Sequence, residues 1–344
     1  MKKIFLIGLT AAAMLASCSN DETVEMAQQK AISFSNAFVN NGTRSIVDPS
    51  FTTTSLNDFA VYGFTQKGQI FNGERVSKGG TASTGWSYDN VQYWVPGNTY
   101  TFGAIAPHSV AGNVSNVTLP TGATKVEMEV AFTNKDADQV DLLHAAPTQI
   151  TGVTASYTTP VSMTFNHQLS KVKFSFENAV GAGYNVRVKD VKITDAYAKG
   201  TLTVAAAGNN WSNQTDKTLE LNFGNVVADA SSTESSVIAN AATLESYNEK
   251  LMIPMGSSAI YTVTFTAELY KGGVLLGIYN HTVEIKNVEF KLGYCYNFKA
   301  SLTHKNITGP DELNPIKFNV TSVENWNQTE SNKDLNVPTT HSGI

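Results

Sequence analysis

Apolar and polar residues alternate with a period of two along most of this chain, and no long stretch carries the 3.6-residue spacing of an amphipathic helix. Val126, Met128 and Val130 are separated by charged or polar residues, as are Val172, Phe174 and Phe176. Each set predicts a strand with one face buried. Val186 and Val188 open another such run, but its phase flips at Asp190 before Val191 and Ile193. The flip predicts a bulge or a strand end. Residues 261–270 and 274–283 predict a hairpin closed by Lys271-Gly272-Gly273. The one helical stretch expected, Ser246 to Lys250, is very short. Many short strands divided by Gly, Asn and Asp predict an all-β chain of β-sandwiches. The turn Thr151-Gly-Val-Thr-Ala-Ser156 is the expected domain junction, which divides the chain into 31–155 and 156–344, the latter with a C-terminal tail.

The first residues break this pattern. Lys2 and Lys3 precede an apolar run from Ile4 to Met14. A membrane span needs about 20 such residues, so the run suits the core of a signal peptide over 1–17. It ends in Leu15-Ala16-Ser17-Cys18, which resembles the lipobox of bacterial lipoproteins. That resemblance implies diacylation of the Cys18 thiol, cleavage before it, and attachment to the outer membrane at the cell surface. One acyl chain binds a bilayer only marginally, whereas two or three make the attachment durable. Residues 18–30 read as a polar tether, and Asp21-Glu22 resembles the surface-export signal of Bacteroides-type lipoproteins.

Charge and composition narrow the function. Losing Lys2 and Lys3 with the leader takes the formal charge from −5 to −7. No basic stripe offers a nucleic-acid surface. Charged residues are 15% of the chain, below the roughly 25% of an average domain, and Thr, Ser, Asn and Gly take their place. With Cys18 acylated, only Cys295 remains, so no internal disulfide forms and a buried, inert thiol is expected. The six histidines lack metal-site spacing. Asp136, Asp138 and Asp141 fall short of a calcium loop, since Pro147 stands where its closing Glu belongs. No nucleophile elbow, phosphate loop or dinucleotide fingerprint occurs, so neither an enzyme nor a cofactor is expected. The aromatic series Trp86, Tyr88, Tyr93, Trp94, Tyr100 and Phe102 reads first as packing. The rival reading makes it a sugar-binding face on a non-polymerising surface lipoprotein, with host or bacterial glycans or proteins as partners.

A series of short signatures then follows in order. Trp86-Ser-Tyr-Asp-Asn-Val-Gln-Tyr-Trp-Val-Pro96 leads to Tyr100-Thr-Phe-Gly-Ala-Ile-Ala-Pro107, Asp141-Leu-Leu-His-Ala145 and Phe165-Asn-His-Gln-Leu-Ser-Lys-Val172. Gly200-Thr-Leu with Trp211, Leu251-Met-Ile-Pro254, Phe290-Lys-Leu-Gly293 and Ile316 to Trp326 complete it. Together these resemble the fimbrillin-like family of Bacteroides-type bacteria across nearly the whole mature chain. The resemblance implies two tandem transthyretin-like sandwiches and a structural, adhesive role as a fimbrial subunit, with other subunits, self or accessory, as partners.

It also implies an assembly route. In such subunits an N-terminal strand is cut away by an arginine-specific protease, and a strand from the next subunit fills the groove. Here Ala31 to Val39 predicts a strand with Ile32, Phe34 and Phe38 on one face. The turn that follows holds Arg44-Ser45, similar to the family's processing position; the bland alternative is a surface arginine. At the other end Ile316, Phe318 and Val320 alternate as a donor strand does, whereas residues 327–344 are polar.

Overall fold

The computed structural model describes residues 30–39, 56–79, 85–229, 232–246, 248–310 and 314–325. Cys18, Arg44 and Ser45 lie outside the described residues. The strands in chain order are β1 (Phe34–Val39), β2 (Asp58–Thr65), β3 (Gly68–Lys78), β4 (Trp86–Ser87), β5 (Tyr100–Ala106), β6 (Val114–Thr118) and β7 (Glu127–Thr133). Next come β8 (Leu143–Ala145), β9 (Val161–His167), β10 (Ser170–Asn178), β11 (Tyr184–Ala196), β12 (Lys199–Val204), β13 (Asn210–Thr215) and β14 (Leu219–Gly224). The last six are β15 (Thr243–Glu245), β16 (Lys250–Met252), β17 (Tyr261–Lys271), β18 (Val274–Ile285), β19 (Tyr294–Leu302) and β20 (Phe318–Asn325).

These strands form four sheets. The largest runs β1-β9-β8-β5-β2-β3-β4, and a second runs β13-β12-β7-β6. The first packs one face against the second through Ala60, Tyr62 and Ile105 facing Met128, Val130 and Leu202. Its other face holds a separate aromatic core with Phe59, Val61, Phe102 and Ala104. Burial on both faces explains why Asp58–Thr65 and Tyr100–Ala106 read as unbroken apolar runs and not as alternation. The remaining sheets, β15-β10-β19-β20 with β16 on β10, and β14-β11-β17-β18, face each other across a third core. Val172, Phe174 and Phe176 enter it from one side, and Val186, Val188, Val191 and Ile193 from the other.

The fold is all-β, as the alternation predicts. Val126, Met128 and Val130 are fully buried. Asp190 adopts a left-handed φ of 53°, and the β11–β17 register shifts between Lys189 and Lys192. This bulge returns Val191 and Ile193 to the buried face. Gly272 and Gly273, at φ 57° and 84°, close the β17–β18 hairpin, where a side chain would be strained.

Other expectations change. The expected helix from Ser246 to Lys250 does not occur among its described residues: Ser246 bridges to Val226 and Lys250 opens β16. The α-helix of the described residues is α1 (His304–Thr308), capped by Thr303, whose hydroxyl accepts from the Asn306 amide. Cys295 is half-buried in β19 and not enclosed. On either side of residue 155, β8 and β9 pair in one sheet, while β12 pairs with β7. The first sandwich therefore draws strands from both sides of that turn.

Candidate functional site

The feature that stands apart is the seam that residues 30–39 fill. The Ile32 amide donates to the Gln92 carbonyl at 2.8 Å, and the Trp94 amide donates to the Lys30 carbonyl at 2.9 Å. These bonds join the N-terminal segment to the chain that follows β4. Beyond them the segment crosses to the opposite end of the same sheet. The Val161 amide donates to the Ser33 carbonyl at 2.7 Å, and β1 then runs parallel to β9 with Phe34 opposite Val161. One short segment thus bridges both ends of the large sheet around its aromatic core. The parallel register is interrupted between Ser35 and Phe38.

Side chains seal the seam. Ile32 and Phe34 are fully buried. The Phe34 ring meets Phe59, Phe71, Tyr88 and Phe102 with centroids at 5.9, 5.9, 5.6 and 6.1 Å, mostly edge to face. Such pairs add to the stabilisation from burial alone. Gly63 leaves room for this box, since a Cβ there would stand 2.8 Å from Phe71 and 3.0 Å from Phe102. The Tyr88 hydroxyl donates to the Ile32 carbonyl at 2.7 Å. Burial raises the Tyr88 phenol above its ordinary value, so it stays a donor.

The aromatic series is mostly part of this core. Trp86, Trp94, Tyr100 and Phe102 are buried, and Trp94 packs edge-on against Tyr100 and Tyr157, each at 4.8 Å. Tyr93 is the exposed member. The first reading of the series, as packing, therefore describes its buried members.

At the other end, β20 occupies an edge of its own sheet, antiparallel to β19, with Phe298 opposite Val320 and Ala300 opposite Phe318. Ile316 is buried, and Phe318 sits among Phe174, Phe176 and Phe265 at 5.1, 5.7 and 6.1 Å. The two chain ends thus share a pattern. Ile32-Ser33-Phe34 and Ile316-Lys317-Phe318 each bury an Ile and seat a Phe in an aromatic box. The alternation of both strands is legible in the sequence; the boxes that receive them are not.

A polar cluster gathers around His144 of β8 and His167 of β9. His167 Nδ1 pairs with Asp141 at 2.8 Å, and the Asn209 amide donates to His144 Nδ1 at 3.2 Å and to Gln168 Oε1 at 2.8 Å. Close by, Lys171 and Glu249 form a buried ion pair at 2.7 Å. Asp136 binds Lys250 at 2.9 Å and accepts from the Asn222 amide, so it ties elements together. No group of His, Cys, Asp and Glu suited to a metal occurs among the described residues.

Comparison with known proteins agrees with this architecture. A fimbrial protein from Bacteroides vulgatus superposes with a TM-score of 0.54 at 16% identity, over 86% of this chain and 99% of that one. Candidate cell adhesion proteins from Bacteroides uniformis and Bacteroides ovatus also match. Their TM-scores are 0.45 and 0.43 and their identities 14% and 16%, over 88% and 86% of this chain and 99% and 98% of theirs. No curated protein matches. The profile described as fimbrillin-like matches residues 43–326. The family is one of structural cell-surface proteins that associate with other fimbrial subunits and carry no enzyme activity. This chain belongs to the fimbrillin-like family.

Proposed function

We propose that the chain is a fimbrial subunit delivered to the outer membrane as a lipoprotein acylated at Cys18, and assembled by strand replacement after cleavage between Arg44 and Ser45. The observation that carries this reading is Phe34. Its ring is 0% exposed within a box of four aromatics, yet it belongs to a segment at the sheet's end that precedes Arg44. That segment also precedes the family match, which begins at residue 43.

Loss of residues 18–44 would uncover the box and leave unpaired amides and carbonyls along β9 and residues 92–94. An open edge over an apolar core recruits another strand. A replacing strand needs an Ile-x-Phe pattern to seat both side chains, and residues 316–320 of a neighbouring subunit supply it. For that strand to serve, it leaves its own edge beside β19.

The test uses the mature exported protein and an arginine-specific protease. The expected result is a new N-terminus at Ser45 with a heat-labile ladder of oligomers. Cleavage at that bond that leaves only monomer would overturn the assembly route. A peptide spanning residues 316–325 should suppress the ladder; an unchanged ladder excludes that segment as the donor. Metabolic labelling with palmitate, lost in Cys18→Ser, checks the anchor.

A further inference from the structure

The outer face of the second sandwich gathers four polar side chains from three strands. Lys173 of β10 and Asn297 of β19 stand directly opposite each other on adjacent parallel strands. Both alternate with Val172, Phe174 and Phe298, which enter the core, so both lie on the other face. On the far side of β10, Glu245 of β15 stands opposite Ser175. The Glu245 carboxylate bridges the first two residues. Lys173 Nζ donates to its Oε2 at 2.8 Å, and Asn297 Nδ2 donates to its Oε1 at 3.2 Å. The Ser175 hydroxyl donates to Asn297 Oδ1 at 2.6 Å. Ser175 and Asn297 are buried, and the Lys173 side chain is 12% exposed against 40% for Glu245.

Each of these contacts has a counterpart in acyl transfer. The Lys173 amine is a nucleophile once Glu245 has taken its proton. The Asn297 carboxamide is the electrophile, and Ser175 aims its O–H at the oxygen on which negative charge develops. The amide nitrogen that must leave rests on the same carboxylate that takes the lysine proton. The strand register holds amine and carboxamide side by side, so their encounter costs little entropy.

We infer that Lys173 and Asn297 join in an intramolecular amide cross-link, with Glu245 as the proton carrier and Ser175 as the oxyanion donor. The Nζ–Cγ bond forms and the Cγ–Nδ2 bond breaks. The lysine ammonium gives up two protons, and both end on the departing nitrogen. Ammonium therefore leaves, Glu245 is recovered as a carboxylate, and no oxidant or second reactant is needed. Water reaches Glu245 and favours the ion pair, so the bond accumulates over days after folding. It closes the chain from 173 to 297, most of the second sandwich, and restrains the unfolded state as a disulfide does. Because β9 leads into β10 through residues 168 and 169, tension entering along that strand passes to β19 through a covalent bond.

The intact mass of the uncleaved mature protein tests this, read fresh and after a week at physiological temperature. A species lighter by one ammonia should accumulate, and proteolysis should yield a branched fragment joining the segments of Lys173 and Asn297. Lys173→Met and Glu245→Gln should each keep the full mass with unchanged circular dichroism, and Ser175→Ala should slow the loss about a hundredfold. The full mass retained throughout would overturn the proposal. So would an ammonia loss that persists in Lys173→Met, since that marks ring closure at another asparagine. The reading is made on single chains, so an absent protease-dependent ladder counts against the assembly route alone.

Discussion

Phe34 and Tyr88 meet edge to face at 5.6 Å, while the Tyr88 hydroxyl holds the carbonyl of Ile32, two residues earlier in the same segment. One side chain thus grips the N-terminal segment by both its ring and its backbone. The two contributions separate by substitution. Phe34→Ala should cost about 3–5 kcal/mol, as for a large ring removed from a core that cannot collapse. Tyr88→Phe, which keeps the ring and drops the hydrogen bond, should cost about 1 kcal/mol. Denaturant unfolding of the uncleaved protein measures both.

Gly63 tests the box from beneath. Its missing Cβ would lie 2.8 Å from a Phe71 ring carbon, so Gly63→Ala pushes on Phe71 and, through it, on Phe34. Overpacking of this kind costs about 1–3 kcal/mol. Limited proteolysis should then release residues 30–39 faster than in the parent, without a matching change in the second sandwich.

The Lys171–Glu249 pair is almost wholly buried on both sides. Burial pulls the lysine downward, but Cys295, Glu249 and Asp141 outweigh it and leave Lys171 raised, hence charged. Glu249→Gln strands that charge and should cost about 3–5 kcal/mol. Replacing both residues together, as Lys171→Met with Glu249→Leu, should cost clearly less than the single change. A double-mutant cycle from thermal unfolding would show it.

His144 makes the fold sensitive to acid. Burial, reinforced by Lys125, lowers its imidazole from 6.5 to about 4. Its Nδ1 accepts from Asn209, so a proton there would oppose that bond. The unfolded chain takes up this proton below pH 6.5 and the folded chain does not until about pH 4. The stability is therefore whole above pH 6.5 and is lost as pH falls towards 4, by roughly 3 kcal/mol in all. In His144→Gln the slope of stability against pH over this range should be shallower than in the parent.

How much of this was legible in the sequence depended on distance along the chain. The β17–β18 hairpin was readable because Gly272-Gly273 supplies the turn conformation locally. The bulge at Asp190 was readable because a single extra residue inverts the alternation on either side. Ser246 to Lys250 was misread as helix because a short polar stretch has no period to judge by, and contacts from Val226 and β10 decided its path. The aromatic series was open to two readings because ring type does not tell which face a strand turns inward.

By itself, the sequence determined that the chain is built of strands, which residues the alternating strands bury, where the β17–β18 turn lies, and that Ile-x-Phe occurs at 32–34 and 316–318. Only the tertiary structure decided that β1 lies parallel to β9, that β12 returns to β7, and that Phe34 enters a box drawn from β2, β3, β5 and Tyr88. The reason is physical. Alternation records that a face is apolar, but backbone donors and acceptors are alike in every strand. Partners are therefore chosen by how side chains from distant segments fill a common core, and the N-terminal segment closes the seam because its Phe34 fits there.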